Sequence, residues 1–290
     1  MGNQTGQTIE FRAPVPGGEL VGRVGGGGPD LLLLHGGPVS NYLEPLADEL
    51  RDGYRVATYQ QRGLEPSTLA EPFDVPTHVA DVIAVLDHLG WERAMVGGHS
   101  WGGNLLLHLL ATHHDRVVAA LIVDPLGGVG DGGFPAFDTE MMRRTPPEEV
   151  ERAAILDQRV MDGVATEAEA LESLRIFWPA YFPSPDRAPE FPDLRFNAAS
   201  AGPTLQSAIA ELPGLANRLA RSQVPTMFVH GAASPMPVTA STDTAEVIGA
   251  AAYVTVVPNA GHFMWMDVPG CLRQPLDGLL DRAGQPPGGH

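Results

Sequence analysis

One serine set among glycines constrains this chain more than any other feature. Ser100 stands in Gly98-His99-Ser100-Trp101-Gly102-Gly103, after the short apolar run Ala94 to Val96 and before the apolar stretch Leu105 to Leu110. Those flanks read as a buried strand and a helix, which places the serine at the turn between them. Such a turn is too tight for bulky neighbours and pushes the hydroxyl out of the sheet, the way a nucleophile is presented. The segment predicts a serine hydrolase.

A chain with 34 glycines produces such strings by chance, so the neighbouring segments decide. Upstream, Leu31 to Leu34 reads as a buried parallel strand entering the turn His35-Gly36-Gly37-Pro38. Downstream, Tyr253 to Val257 reads as another strand, followed by Pro258-Asn259-Ala260-Gly261-His262. Ile9 to Val15 and Glu19 to Val24 predict a hairpin around Pro16-Gly17-Gly18. A helix fits Tyr42 to Arg51, and Arg55 to Tyr59 reads as a strand. Val79, Val82, Ile83, Leu86 and Leu89 give Val75 to Leu89 the helical period, with Asp81 and Asp87 expected on the solvent face. Val117 to Val123 is an apolar run ending in Asp124-Pro125. Strands alternating with helices at this spacing imply an α/β fold with a mostly parallel central sheet flanked by helices.

After Leu126-Gly127-Gly128 the pattern turns to helices without strands. Thr145 with Glu148, and Thr166 with Glu169, have the spacing of capping boxes, predicting helices from about 146 and 167. Pro203 to Leu212 looks helical too, and Phe177-Trp178-Pro179-Ala180-Tyr181-Phe182-Pro183 is aromatic and broken by proline. This predicts a helical cap over 130–220, inserted into a core made of 1–129 and 221–290. Val224 to His230 resumes the sheet and Pro269 to Arg282 supplies a last helix. The Gly/Pro-rich tail from Gly284 to His290 is expected to fray.

His35-Gly36-Gly37-Pro38, Gln61-Arg62-Gly63, Gly98-His99-Ser100-Trp101-Gly102-Gly103 and Gly261-His262 together resemble the α/β-hydrolase superfamily and, within it, the proline iminopeptidase-like branch. The resemblance runs in order over nearly the whole chain, with its sharp motifs in the core. No motif can be assigned between about Gly127 and Gln223.

A serine hydroxyl needs a base within hydrogen-bond reach, and the base needs a third group to fix its tautomer and stabilise its positive charge. His262 is the base the pattern predicts; His99, His113, His114 and His290 are worse placed. The acid departs from the family pattern. Most relatives carry it just after the seventh strand, in a turn that here reads His230-Gly231-Ala232-Ala233-Ser234-Pro235, so the expected aspartate is Ser234. A serine cannot hold the charge that stabilises an imidazolium. Asp243 falls inside a predicted helix, out of reach. Asp124 can take over: it ends the strand after the nucleophile's helix, at the same carboxyl edge as Ser100. Haloalkane dehalogenases and a lactone-hydrolysing group resemble this arrangement. The alternative for Asp124 is a turn carboxylate capping its own loop. The amides of Trp101 and Gly37 are the expected oxyanion hole, since Pro38 has no N–H.

The resemblance to proline iminopeptidases implies cleavage of an N-terminal residue, held by cap glutamates next to tryptophan. The cap lacks that pair; Trp91-Glu92 lies in the core. Aromatic residues instead suggest an apolar pocket lined by Phe134, Trp178, Tyr181, Phe182 and Phe263, favouring a hydrophobic ester or lactone. An aminopeptidase would be supported by cap carboxylates facing the cleft, and a non-hydrolytic binding protein by the loss of acid at Ser234.

Composition narrows the partners. All 18 basic residues are arginine, and the net charge of −17 repels phosphate backbones and anionic lipid, so neither nucleic acid nor membrane is expected. Met1 to Glu10 is polar and shows no leader, and Cys271, the one cysteine, excludes an internal disulfide, so a cytoplasmic protein is expected. Histidines at no ligand spacing and a Gly25 to Gly28 run without dinucleotide-site spacing predict neither metal nor cofactor. Oligomeric state is not encoded in any of these features.

Overall fold

The computed structural model describes residues 7–37 and 39–284. Eight strands form one sheet in the order β1-β2-β4-β3-β5-β6-β7-β8. β1 (Ile9–Val15) and β2 (Gly18–Gly26) make the expected hairpin, and β2 also pairs antiparallel with β4 (Arg55–Tyr59). From β4 onward the pairs are parallel: β3 (Asp30–Leu34), β5 (Ala94–His99), β6 (Val117–Val123), β7 (Thr226–Gly231) and β8 (Ala252–Val257). Between β3 and β4 lies α1 (Glu44–Leu50). This is the α/β-hydrolase fold.

The central strands read as unbroken apolar runs because both faces of the sheet are covered. Leu32 and Leu34 of β3 and Ala120 and Ile122 of β6 enter one core, with α2 (Val75–His88) and α3 (Trp101–His113). Their neighbours Leu31, Leu33, Ala119 and Leu121 enter the other, with α1 and α10 (Arg273–Ala283).

The segment between β6 and β7 contains α4 (Phe134–Arg144), α5 (Val150–Met161), α6 (Glu167–Phe177) and α7 (Ala198–Leu219). Met141, Ala153 and Phe177 form one small apolar cluster here, and Val160, Ala170, Ala198 and Ala201 another. α7 crosses from this layer into the main core, where Ala208, Leu212, Leu215 and Leu219 pack. Its second half, within the range expected as cap, thus packs on the main core.

Two local expectations are corrected. Asp81 is 2% exposed, not on the solvent face, and its carboxylate takes two bonds from buried Arg62, Nε at 2.8 Å and Nη2 at 2.7 Å. Helical spacing explains this: Asp81 lies three residues after buried His78 and four before buried Val85, on the stripe that faces inward. Thr145 does not start a helix. It ends α4, its hydroxyl donates to the Met141 carbonyl, and its extended backbone (ψ 139°) is what a following proline imposes. The box at Thr166 and Glu169 does form, at the start of α6. After β7 come α8 (Thr239–Ile248), which holds Asp243, then β8 and the short α9 (Met264–Asp267). Among the described residues no helix is long and apolar enough to cross a membrane. Pro38 and the tail beyond Gly284 lie outside the described residues.

Candidate active site

Ser100 sits between β5 and α3 with φ 56° and ψ −121°, a left-handed conformation costly for a residue with a side chain. The flanking glycines make the turn possible. A Cβ on Gly102 would lie 2.1 Å from the Leu34 carbonyl oxygen, and one on Gly98 would lie 2.2 Å from that of Gly102. The elbow is thus pressed between its own helix and the end of β3.

Asp124 leaves β6 at the same sheet edge, is fully buried, and also has positive φ, 45°. His262 Nδ1 donates to its Oδ2 at 2.5 Å. The Ser234 hydroxyl donates to that same oxygen, and the Gly231 amide donates to Oδ1 at 3.2 Å. His230 Nδ1 stands 3.0 Å from Oδ1. Ser234, the position where the family resemblance leads one to expect an aspartate, therefore donates a hydrogen bond to Asp124 at the end of the neighbouring strand. Burial lifts the Asp124 carboxyl to about 6, opposed by His230, Ser234 and Gly231. Burial also holds His262 below the usual imidazole range. At neutral pH the pair is thus carboxylate and neutral imidazole, with Nε2 of His262 free to accept a proton. No hydrogen bond joins Ser100 to His262 among the described residues; both line one cavity of about 140 Å³. Catalytic contacts of this kind commonly tighten only when substrate is bound.

The amides of Gly37 and Trp101 donate to no acceptor among the described residues, and both residues line a larger cavity of about 240 Å³ that also contains Ser100. A second network fixes the surroundings. The Tyr42 hydroxyl accepts from the Gly36 amide at 2.9 Å and donates to His99 Nδ1 at 2.6 Å, while His99 Nε2 donates to the His262 carbonyl at 2.9 Å. His99, held neutral by burial, thus ties the elbow to the loop carrying His262. Tyr42 was not singled out in the sequence, because its hydroxyl matters only through the fold.

The aromatic expectations separate. Tyr181 lines both cavities and stacks on His262, centroids 5.2 Å apart. Phe134 lines the larger cavity, Trp178 and Phe263 the smaller. Phe182 lines neither and is core: it packs against Trp178 and Phe263, and its Cα lies so near Gly261 that a Cβ there would be 3.0 Å away. Sequence reasoning missed Phe137, Asp138 and Met141, which join Phe134 in lining the cavity from one face of α4, and Asp157 and Val160 on α5. Their spacing of three and four is the helical signal that could have found them. Neither Asp138 nor Asp157 has a hydrogen-bond or ion-pair partner among the described residues. Burial, then the charge of Asp138, raises the Asp157 carboxyl.

Among the described residues no cluster of histidine, cysteine and acidic side chains could hold a metal ion. The family described as the alpha/beta hydrolase fold matches residues 29–269. The chain belongs to that family. A proline iminopeptidase of Lactobacillus helveticus is 35% identical over 128 residues, 40% of this chain and 43% of that protein. Epoxide hydrolase B of Mycobacterium tuberculosis is 35% identical over 117 residues, 37% of this chain and 32% of that protein. The chain thus spans less than half the length of either. Among solved structures, an E-2-(acetamidomethylene)succinate hydrolase superposes with a TM-score of 0.65 at 21% identity, covering 95% of this chain and 100% of the other. A proline iminopeptidase-related protein of Thermus thermophilus gives 0.63 at 22%, covering 95% and 98%. At such identities the likeness shows the fold.

Proposed function

We propose that this hydrolase cleaves an ester or lactone bond of a hydrophobic small molecule through an acyl-enzyme on Ser100. The observation that carries this reading is the 2.5 Å pair of His262 and Asp124 beside a cavity that contains the elbow serine. His262 Nε2 takes the Ser100 proton as Oγ attacks the carbonyl carbon, and the Gly37 and Trp101 amides receive the oxyanion. His262 then returns the proton to the departing alkoxide. Water, deprotonated by the same imidazole, releases the acid. Asp124 stabilises the imidazolium in both halves. Phe134, Phe137 and Tyr181 give the cavity its apolar lining, which supports a hydrophobic acyl or alkoxy group.

An aminopeptidase is the second reading, favoured by Asp157 and Asp138. Two carboxylates without partners on the cavity lining form a receptor for a protonated amine, and a proline iminopeptidase is among the relatives. The non-hydrolytic reading rested on Ser234, and the contact of Asp124 with His262 weighs against it. Parallel assays on p-nitrophenyl esters and on proline p-nitroanilide test the choice. Ester turnover with fluorophosphonate labelling at Ser100 is expected; faster cleavage of the anilide would favour the aminopeptidase, and labelling at another residue would sink the mechanism. A cytoplasmic location, suggested by the lone cysteine, belongs to the same proposal and is tested by cell fractionation.

A further inference from the structure

The larger cavity has a polar side chain that the mechanism does not use. His78, on α2, is 3% exposed, lines the cavity, and has no hydrogen-bond partner at either Nδ1 or Nε2 among the described residues. Its ring meets the Trp101 indole edge to face, centroids 5.6 Å apart, one residue from the nucleophile. Apart from Ser100 and the carboxylates Asp138 and Asp157, the other polar side chains lining this cavity are already satisfied. The Gln61 amide accepts from Trp101 Nε1 and donates to the His35 carbonyl. Arg62 is spent on Asp81, Pro16 and Ala70, and the Ser200 and Thr204 hydroxyls donate to backbone carbonyls.

A buried imidazole without partners costs stability, because each ring nitrogen has given up its bond to water and gained none in return. Groups left in this state inside a pocket are those that a ligand completes. Burial, with Arg62 and His35 nearby, lowers His78 to about 4, so at neutral pH the ring offers one N–H donor and one lone pair rather than a charge. Such a ring pairs with an uncharged oxygen function and gives no counter-charge to a carboxylate.

Building on the proposed ester cleavage at Ser100, we propose that His78 is the polar anchor of the substrate site. Its ring hydrogen-bonds a hydroxyl or carbonyl oxygen that the substrate carries away from the scissile bond. The substrate class is then an apolar ester or lactone bearing one further uncharged oxygen function. A hydroxyl pairs with either ring nitrogen; a ketone pairs only with the N–H.

The test compares p-nitrophenyl esters of short to medium acyl chains ending in a methyl, hydroxymethyl or methyl ketone group. For at least one chain length the oxygen-bearing ester should be preferred over its methyl counterpart by about tenfold or more in kcat/KM. In His78→Leu, which removes the unpaired nitrogens and keeps an apolar volume, that ratio should fall to about one. In His78→Gln, which restores a donor and an acceptor, part of it should return. A second arm measures thermal stabilisation of Ser100→Ala protein by the corresponding methyl esters, with and without His78→Leu. Greater stabilisation by the oxygen-bearing ester, lost with His78→Leu, supports the anchor. A ratio untouched by His78→Leu, or no preference in either arm, overturns it and leaves the ring satisfied by solvent. If the native protein turns over none of the esters, the serine-hydrolase reading fails, while the binding arm still decides the role of His78.

Discussion

The floor of the cavity and its walls follow opposite rules. At the sheet edge Asp124 accepts from Gly231, Ser234 and His262, and Gly36, Tyr42 and His99 close a second set of bonds behind the elbow. The amides of Gly37 and Trp101, the proposed oxyanion donors, have no acceptor there among the described residues. On the walls, buried His78 has no partner at either ring nitrogen, and half-buried Asp157 and exposed Asp138 have no protein partner, among the described residues. The contrast separates two tasks. Groups proposed for chemistry are oriented before any ligand arrives, which avoids reorganisation during the reaction, whereas groups facing the ligand are left for it to complete.

Substitutions in the floor should therefore destroy rate or stability, and those in the walls should alter selection. Ser100→Ala should cost about a millionfold in kcat, as removal of a triad nucleophile does. A residual rate near that of the native protein, in an ester assay, would break the comparison at its base. Asp124→Asn should cost about ten-thousandfold, because an amide holds the imidazole in the wrong tautomer. Burial lifts Asp124 to about 6, so in the native protein kcat should fall as pH drops through that value and the carboxylate is protonated. A flat profile down to well below that pH would argue against a working carboxylate here.

Asp81→Ala leaves the Arg62 guanidinium buried without its counter-charge and should cost about 3–5 kcal/mol in chemical denaturation. Ser234→Ala removes one donor from Asp124 and should lower kcat only about tenfold, the worth of a single hydrogen bond. A loss matching that of Asp124→Asn would mean the serine does more than support the acid. The smallest effect is expected on the wall. Burial raises the Asp157 carboxyl, so the folded state holds that proton to a higher pH than the unfolded chain does. Stability then falls as pH rises through the carboxylate range, and Asp157→Asn should raise Tm slightly at neutral pH. A lower Tm would show that the carboxylate has a partner.

The same contrast governs what could be read from the amino acids. The elbow, the strands and Asp124 were legible because each depends on neighbours close in the chain: a glycine beside the serine, an apolar run, a carboxylate at a strand end. Asp81 was misread because only the apolar members of its helical stripe were counted, and Thr145 because a proline after it overrides the capping spacing. The walls were legible only in part. Phe134, Trp178 and Tyr181 reach the cavities, but which face of α4 and α5 turns toward Ser100 depends on how helices distant in sequence pack together. His78 could not be singled out at all, since its meaning lies in partners it lacks.

The proposed nucleophile and acid share one local crossover, β5-α3-β6, whereas the proposed base, His262, comes from 138 positions beyond Asp124, just past β8. β8 forms the last edge of the sheet, with Val256 47% exposed. An edge strand opens more readily than the strands packed inside, and the contacts it makes over long chain separations are the slowest to form. The proposed chemistry is therefore tethered to an edge of the sheet. On that proposal, heat, denaturant or a protease acting on that edge is expected to remove activity while most of the fold stands, and a refolding chain to place His262 last.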